Sequence, residues 1–216
     1  MDRLRDGGGG MARRNDVLTL AVLGLLHDSP MHGYELRKRL AAMLGSFRAF
    51  SYGSLYPCLK DLQARGWLSE SDQTAAPPHA LAGKRARIVY QLTAEGKERF
   101  GALLGESGPA SWEDENFDVR FAFFARLDAD TRLRILEGRR TRLTERLDGV
   151  RQSFARTRER LDDYTRELQR HGLESVERDI RWLDDLIDHE RRIEHDRRGA
   201  PRAAGATDGP AGSSPN

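Results

Sequence analysis

Apolar positions in the first hundred residues recur with a helical period, broken by short polar or glycine-containing connections. Asp16 to His27, DVLTLAVLGLLH, is apolar on nearly every face, which predicts a central helix ended by Ser29-Pro30. His32 to Leu44 turns Leu36, Leu40, Met43 and Leu44 to one side and leaves Arg37, Lys38 and Arg39 largely on the other. After a connection rich in Gly, Ser and Phe comes a third helix. There Leu55, Leu59, Leu62 and Gly66 share a narrow arc at ~100° per residue and should face a core. The opposite arc carries Gly53, Pro57, Lys60 and Ala64, with Ser54 and Tyr56 on its shoulders. Ser54 is the expected N-cap, placing Pro57 in the first turn, where its missing N–H costs little.

The period then changes. Trp67-Leu68 opens a strand, SDQTAAPPHALAGKRAR forms a long tip with Lys84, Arg85 and Arg87, and Arg87 to Thr93 alternates as the return strand. Thr93 should cap a helix beginning at Ala94. Farther on, a heptad seam runs through Leu136, Arg140, Leu143, Leu147, Val150, Phe154, Thr157, Leu161, Tyr164 and Leu168, with Arg, Glu and Asp around it. That predicts one long helix, broken at His171-Gly172, and a second carrying Leu173, Val176, Ile180, Leu183 and Ile187. The two can pack antiparallel within one chain. The stripe is wider than one seam requires, which points to a homodimer interface at Leu143, Leu147, Val150, Phe154, Leu161, Leu168, Ile180, Leu183 and Ile187; the alternative is a self-contained hairpin in a monomer.

The expected fold is therefore mainly α: a winged helix-turn-helix head of three helices and a two-stranded wing, with a C-terminal helical dimerisation region. Its parts are a flexible tail over 1–14 (with Met11 an alternative start), the head over 15–106, the helical region over 107–198 and a disordered tail over 199–216. In such a head the third helix enters a major groove. Small side chains on its outer arc permit close approach to base edges, while its N-terminal N–H groups suit phosphate. The same residues are also compatible with an ordinary helix start.

Three blocks carry a resemblance. LAVLGLLHDSPMHGYELRKRL, SYGSLYPCLKDLQARGWL and RARIVYQLTAEG resemble the signature segments of PadR-like transcriptional regulators, densely from Leu18 to Gly96, with MHGYEL and YGSLYP the most specific. FDVRFAFFARLDADTRLRILEGRR resembles, more weakly, the helical C-terminal region of longer members. The long Ala/Pro-rich tip departs from the short wing usual in the family. The resemblance implies a winged helix with helical dimerisation arms and a repressor that responds to a small, often planar or phenolic, effector.

The expected DNA contacts are Ser54, Tyr56 and Lys60 for bases or grooves. Backbone contacts are expected from His32, Gly33, Tyr34, Ser51, Tyr52, Lys84 and Arg85, the first three mainly on the family match. Trp112, Phe117, Phe121 and Phe124 concentrate aromatic rings near a hinge and are the candidate effector site; the alternative is that they glue arm to head. Operator reading by two heads on a twofold axis would place half-sites ~34 Å apart.

Charge sharpens the picture slightly. Residues 1–100 hold fifteen Lys and Arg against ten Asp and Glu, and the remainder twenty-one against twenty-four, a basic front and a mildly acidic back. No run of eighteen apolar residues exists, so no membrane span is expected. The single cysteine, Cys58, fits a reducing cytoplasm and reads as a structural thiol. No phosphate loop, GxSxG, HExxH or CxxC occurs, and the six histidines are scattered, so neither an enzyme nor a metal or other cofactor is expected. The competing class is a winged-helix protein-interaction module that does not bind DNA.

Overall fold

The computed structural model describes residues 7–44, 52–72, 88–157 and 162–199. α1 (Gly7–Asp28) is followed by a two-residue strand β1 (Met31–His32), α2 (Gly33–Leu44), α3 (Tyr52–Ala64), β2 (Leu68–Asp72), β3 (Ile88–Leu92) and α4 (Ala94–Gly105). A 3-10 turn (Pro109–Trp112), α5 (Asp114–Phe121) and a second 3-10 turn (Phe124–Arg126) lead to two long helices, α6 (Ala129–Thr157) and α7 (Asp163–Gly199). Among the described residues no helix is long and apolar enough to cross a membrane.

The head is built around α1. Leu18, Val22 and Leu23 are almost fully buried, as are Leu36 and Leu40 of α2 and Leu55, Leu59 and Leu62 of α3. Each such leucine contributes about 1.5–3 kcal/mol of burial. α1 begins at Gly7, so the tail expected over 1–14 is helical from that residue.

The two wing strands, β2 and β3, are joined by β1 in a three-stranded sheet. The order is β1-β3-β2, all antiparallel, with Met31 opposite Tyr90 and Leu68 opposite Leu92. A two-residue strand has no readable period, and only its partner makes it one. The end of α3 shows how head and wing are joined. Trp67 N–H donates to Leu62 O at 3.0 Å and Gly66 N–H to Gln63 O at 2.9 Å, with Gly66 at φ 75°, a Schellman close. Gly66 is thus the exposed terminator of α3, not part of its core arc. Thr93 ties the corner together. Its Oγ1 donates to Gly66 O at 2.7 Å and accepts from Gly96 N–H at 3.0 Å, capping α4 as expected.

The arms differ from the expectation in where the chain turns. α7 runs unbroken through His171-Gly172, so those residues do not end a helix. The new helix starts instead at Asp162, whose carboxylate accepts from Thr165 N–H at 2.9 Å and Thr165 Oγ1 at 2.7 Å. Asp128 caps α6 in the same way through Thr131, at 2.7 and 2.8 Å. A glycine inside a helix costs only about 0.5–1 kcal/mol against alanine, less than a two-bond cap and antiparallel packing return. α6 and α7 pack against each other, with Arg132 to Glu190 at 2.8 Å and Arg151 to Glu177 at 2.6 Å across the pair.

That pairing accounts within one chain for part of the stripe expected at a dimer interface. Leu143, Leu147, Leu183 and Ile187 are buried within the single chain, and Ile180 is half-buried. These side chains pack within the hairpin. Val150, Tyr164, Leu168 and Trp182 remain exposed, Tyr164 by 90% and Leu168 by 70%. Phe154 is half-buried. Leu161 lies outside the described residues.

Candidate nucleic-acid interface

The outward side of α3 is the centre of the candidate surface. Leu55, Leu59 and Leu62 point into the head, and Gly53, Pro57, Lys60 and Ala64 are exposed, as their spacing requires. The helix starts at Tyr52, three residues before the Leu55 start that a cap at Ser54 implies. Ser54 therefore lies within the first turn instead of capping it, and Pro57 sits in the second turn, where it deprives the Gly53 carbonyl of its usual i+4 donor. The face keeps little bulk. It carries one ammonium, Lys60, and an ion pair one turn on, where Arg65 Nε donates to Asp61 Oδ2 at 2.7 Å.

The shoulders are unequal. Ser54 is half-buried, and Tyr56 packs its ring against the head core. The Tyr56 hydroxyl lies close to Gly33, within 3.3 Å of where a Cβ would stand. Tyr56 thus serves the α2–α3 contact, and Gly33 is buried beneath it. His32 belongs to β1 rather than to a helix start. Its Nδ1–H donates to Ile88 O at 3.2 Å and stitches α2 to the wing. Tyr34, by contrast, is 61% exposed, with the Arg37 guanidinium 5.9 Å from its ring centroid. Lys38 and Arg39 are exposed, the latter paired with Glu35 at 3.0 Å. The cationic line expected on α2 is therefore present, although one member is neutralised by a neighbour. Ser51, Lys84 and Arg85 lie outside the described residues, as does the side chain of Tyr52.

Behind α3, Cys58 is buried, with Thr19 Oγ1 3.9 Å from its sulfur. Burial pushes its thiol up from 9.0 to about 11, so it is a protonated packing group at neutral pH. Among the described residues no cluster of His, Cys, Asp or Glu could hold a metal ion.

Residues 22–102 match the family described as "Transcriptional regulator PadR-like family". That segment is similar to the PadR-like family. The match spans the head from α1 to α4, and the family is one of transcriptional regulators rather than enzymes. No curated protein matches the chain. Among solved structures, Bacillus subtilis PadR in complex with operator DNA is 21% identical, covering 81% of this chain and 99% of that one, with a TM-score of 0.38. The same protein in complex with p-coumaric acid gives 21%, 81%, 99% and 0.36. The PadR-like regulator BC1756 from Bacillus cereus gives 18% identity, 82% and 99% coverage and a TM-score of 0.35.

Beyond residues 22–102, three of the four aromatic residues expected at an effector site form a cluster. Phe117 lies 5.8 Å from Phe121 and 6.3 Å from Phe124, and Trp182 of α7 completes it at 5.2 Å from Phe121. Phe117 and Phe124 are buried. The rings pack against one another across α5, the second 3-10 turn and α7. Trp112 stands apart, its ring laid over Gly138 of α6 and its Nε1–H buried without an acceptor among the described residues. Such an orphan donor costs about 1–3 kcal/mol, so the ring's position is held by packing against that penalty. Sequence reasoning missed Arg120. Its buried guanidinium donates to the carbonyl oxygens of Leu103 and Leu104, 3.2 Å to the latter, and neutralises the C-terminal end of α4. Burial pulls its pKa down while Glu106, 3.5 Å away, supports the charge. A lone arginine in FDVRF has no sequence signal for burial.

Proposed function

We propose that this protein is a homodimeric, sequence-specific repressor that reads an inverted-repeat operator in cytoplasmic DNA and releases it on binding a small planar effector. The observation that carries the reading is the outward face of α3: Gly53, Pro57, Lys60 and Ala64 exposed, all three leucines inward, beside the exposed Tyr34. A face so free of bulk can lie against base edges, with Lys60 reaching a guanine or a phosphate. Lys38 adds a backbone contact that weakens with salt, and the wing cations Lys84 and Arg85 are assigned the same role.

One head discriminates weakly, since a good bidentate contact is worth only about 1–3 kcal/mol. A dimer would supply the second half-site. Support comes from Tyr164, Leu168 and Trp182, exposed on α7 with Leu168 and Trp182 two heptads apart on one face. For the effector, the supporting space is an open groove of about 580 Å³ where α1 and α2 meet the second 3-10 turn, lined by apolar residues that include Met43 and Phe123 and by the charged Asp28, Arg39 and Arg126.

The test is binding to duplex across salt, followed by selection of bound genomic fragments. Wild type should bind random duplex with affinity that falls steeply as salt rises. Lys60→Ala should weaken operator binding about tenfold and lower the salt slope by about one, with the dimer intact. Absence of any salt-dependent duplex binding by the folded protein would refute the reading in favour of a protein-interaction module.

A further inference from the structure

We propose that residues 109–126 are a two-pronged clamp that sets the angle between head and arms, and thereby the half-site spacing a dimer can read. The proposal rests on the dimeric DNA-binding reading above. One aromatic ring stands near each end of the segment, and each sits in a notch made by a helical glycine. Trp112 lies over Gly138 of α6, where a Cβ would collide with the indole. Phe123 lies over Gly24 of α1, where a Cβ would collide with the Cζ, Cε1 and Cε2 atoms of the ring. Phe123 is itself buried and meets Phe100 of α4 edge-on at 5.5 Å.

Between the prongs, the two turns of α5 divide their side chains between two cores. Val119 is fully buried in the head core, and Phe117 is buried in the arm core. Polar contacts repeat the division. Arg120 grips the end of α4, and Arg126 pairs with Asp28 at the end of α1. On the arm side, Arg139 donates to Trp112 O at 2.7 Å and meets Asp114 at 2.6 Å, while Arg142 meets Glu113 at 2.7 Å. A linker that only joined two domains would need none of these. This one is docked on both sides, so head and arms turn together.

Adding one base pair between half-sites moves them about 3.4 Å apart and rotates one by about 35°. A flexible joint would follow that rotation, and a clamped one cannot. Wild type should therefore lose about tenfold in affinity for each base pair added to or removed from the spacer, because DNA must deform instead. Gly24→Ala forces a methyl group into the ring and Phe123→Leu shortens the prong. Each should flatten the loss to about threefold or less, leaving single half-site binding and dimer content as they were. The double variant, in which the shorter side chain makes room for the methyl group, should recover the wild-type preference.

The measurement is the ratio of affinities across a spacer series, on variants shown to be folded by circular dichroism. A destabilised but otherwise ordinary head would not change that ratio. Should Gly24→Ala not fold, Gly138→Ala asks the same question of the Trp112 prong. Folded single variants that keep the wild-type ratio would overturn the clamp while leaving the regulator reading intact. A wild-type protein that binds no duplex would overturn both.

Discussion

Replacing Leu183 with alanine should damage the arm itself, whereas replacing Leu168 with glutamate should split the dimer. Leu183 is 1% exposed and packs in the arm core with Phe117, Ile135, Leu143 and Ile187. Truncating a buried leucine costs the transfer of the lost carbons and leaves a cavity, about 2–5 kcal/mol together. For a chain of this size each kcal/mol lowers Tm by about 2–4 °C, so a fall of roughly 5–20 °C is expected. Leu168, at 70% exposed, contributes little within the chain, and its replacement should shift folding stability by no more than about 0.5 kcal/mol. A carboxylate on a face covered in the dimer would raise the dimer dissociation constant at least about tenfold, each tenfold being ~1.4 kcal/mol. Thermal melts followed by circular dichroism, at one fixed concentration because dimer melting is concentration-dependent, give the first number. Sedimentation velocity over a dilution series gives the second. If Leu168→Glu sediments like wild type while Leu183→Ala dissociates with Tm unchanged, the division between hairpin core and dimer face is wrong.

Gly66→Ala should destabilise the head by about 1–2 kcal/mol, because the φ of 75° that closes α3 is strained for any residue with a Cβ; a denaturant melt with no loss would contradict that turn. The Asp128 and Asp162 carboxyls are held below their ordinary range by the hydroxyl and N–H of Thr131 and Thr165. Their contribution is present above the unfolded carboxylate range and lost as pH falls through the folded values, so arm helicity should drop there in acid, and less so in Asp162→Asn. Cys58 should resist alkylation at neutral pH while the head is folded. Since its folded pKa of about 11 lies above the unfolded 9.0, the stability it confers should fall as pH rises between those values. Rapid labelling of the native protein near neutrality would remove that burial argument.

The local code of this chain is strong. Periodicity alone determined the inward leucines of α2 and α3 and the bare outer arc of Gly53, Pro57, Lys60 and Ala64, because a helix must turn its apolar stripe toward whatever core exists. Thr93 was legible as a cap for the same reason, since an orphan N–H one turn on needs an acceptor. Tertiary structure decided what those patterns touch. The heptad positions Leu143, Leu147, Leu183 and Ile187 could equally face a second copy or their own chain, and only the reversal at Asp162 assigns them to the hairpin. That Tyr56 packs onto Gly33 and that His32 bonds to Ile88 were likewise contacts that only packing decided. The glycine notches under Trp112 and Phe123 had no signature at all, because a missing Cβ acquires meaning only when a ring from elsewhere in the chain occupies its place.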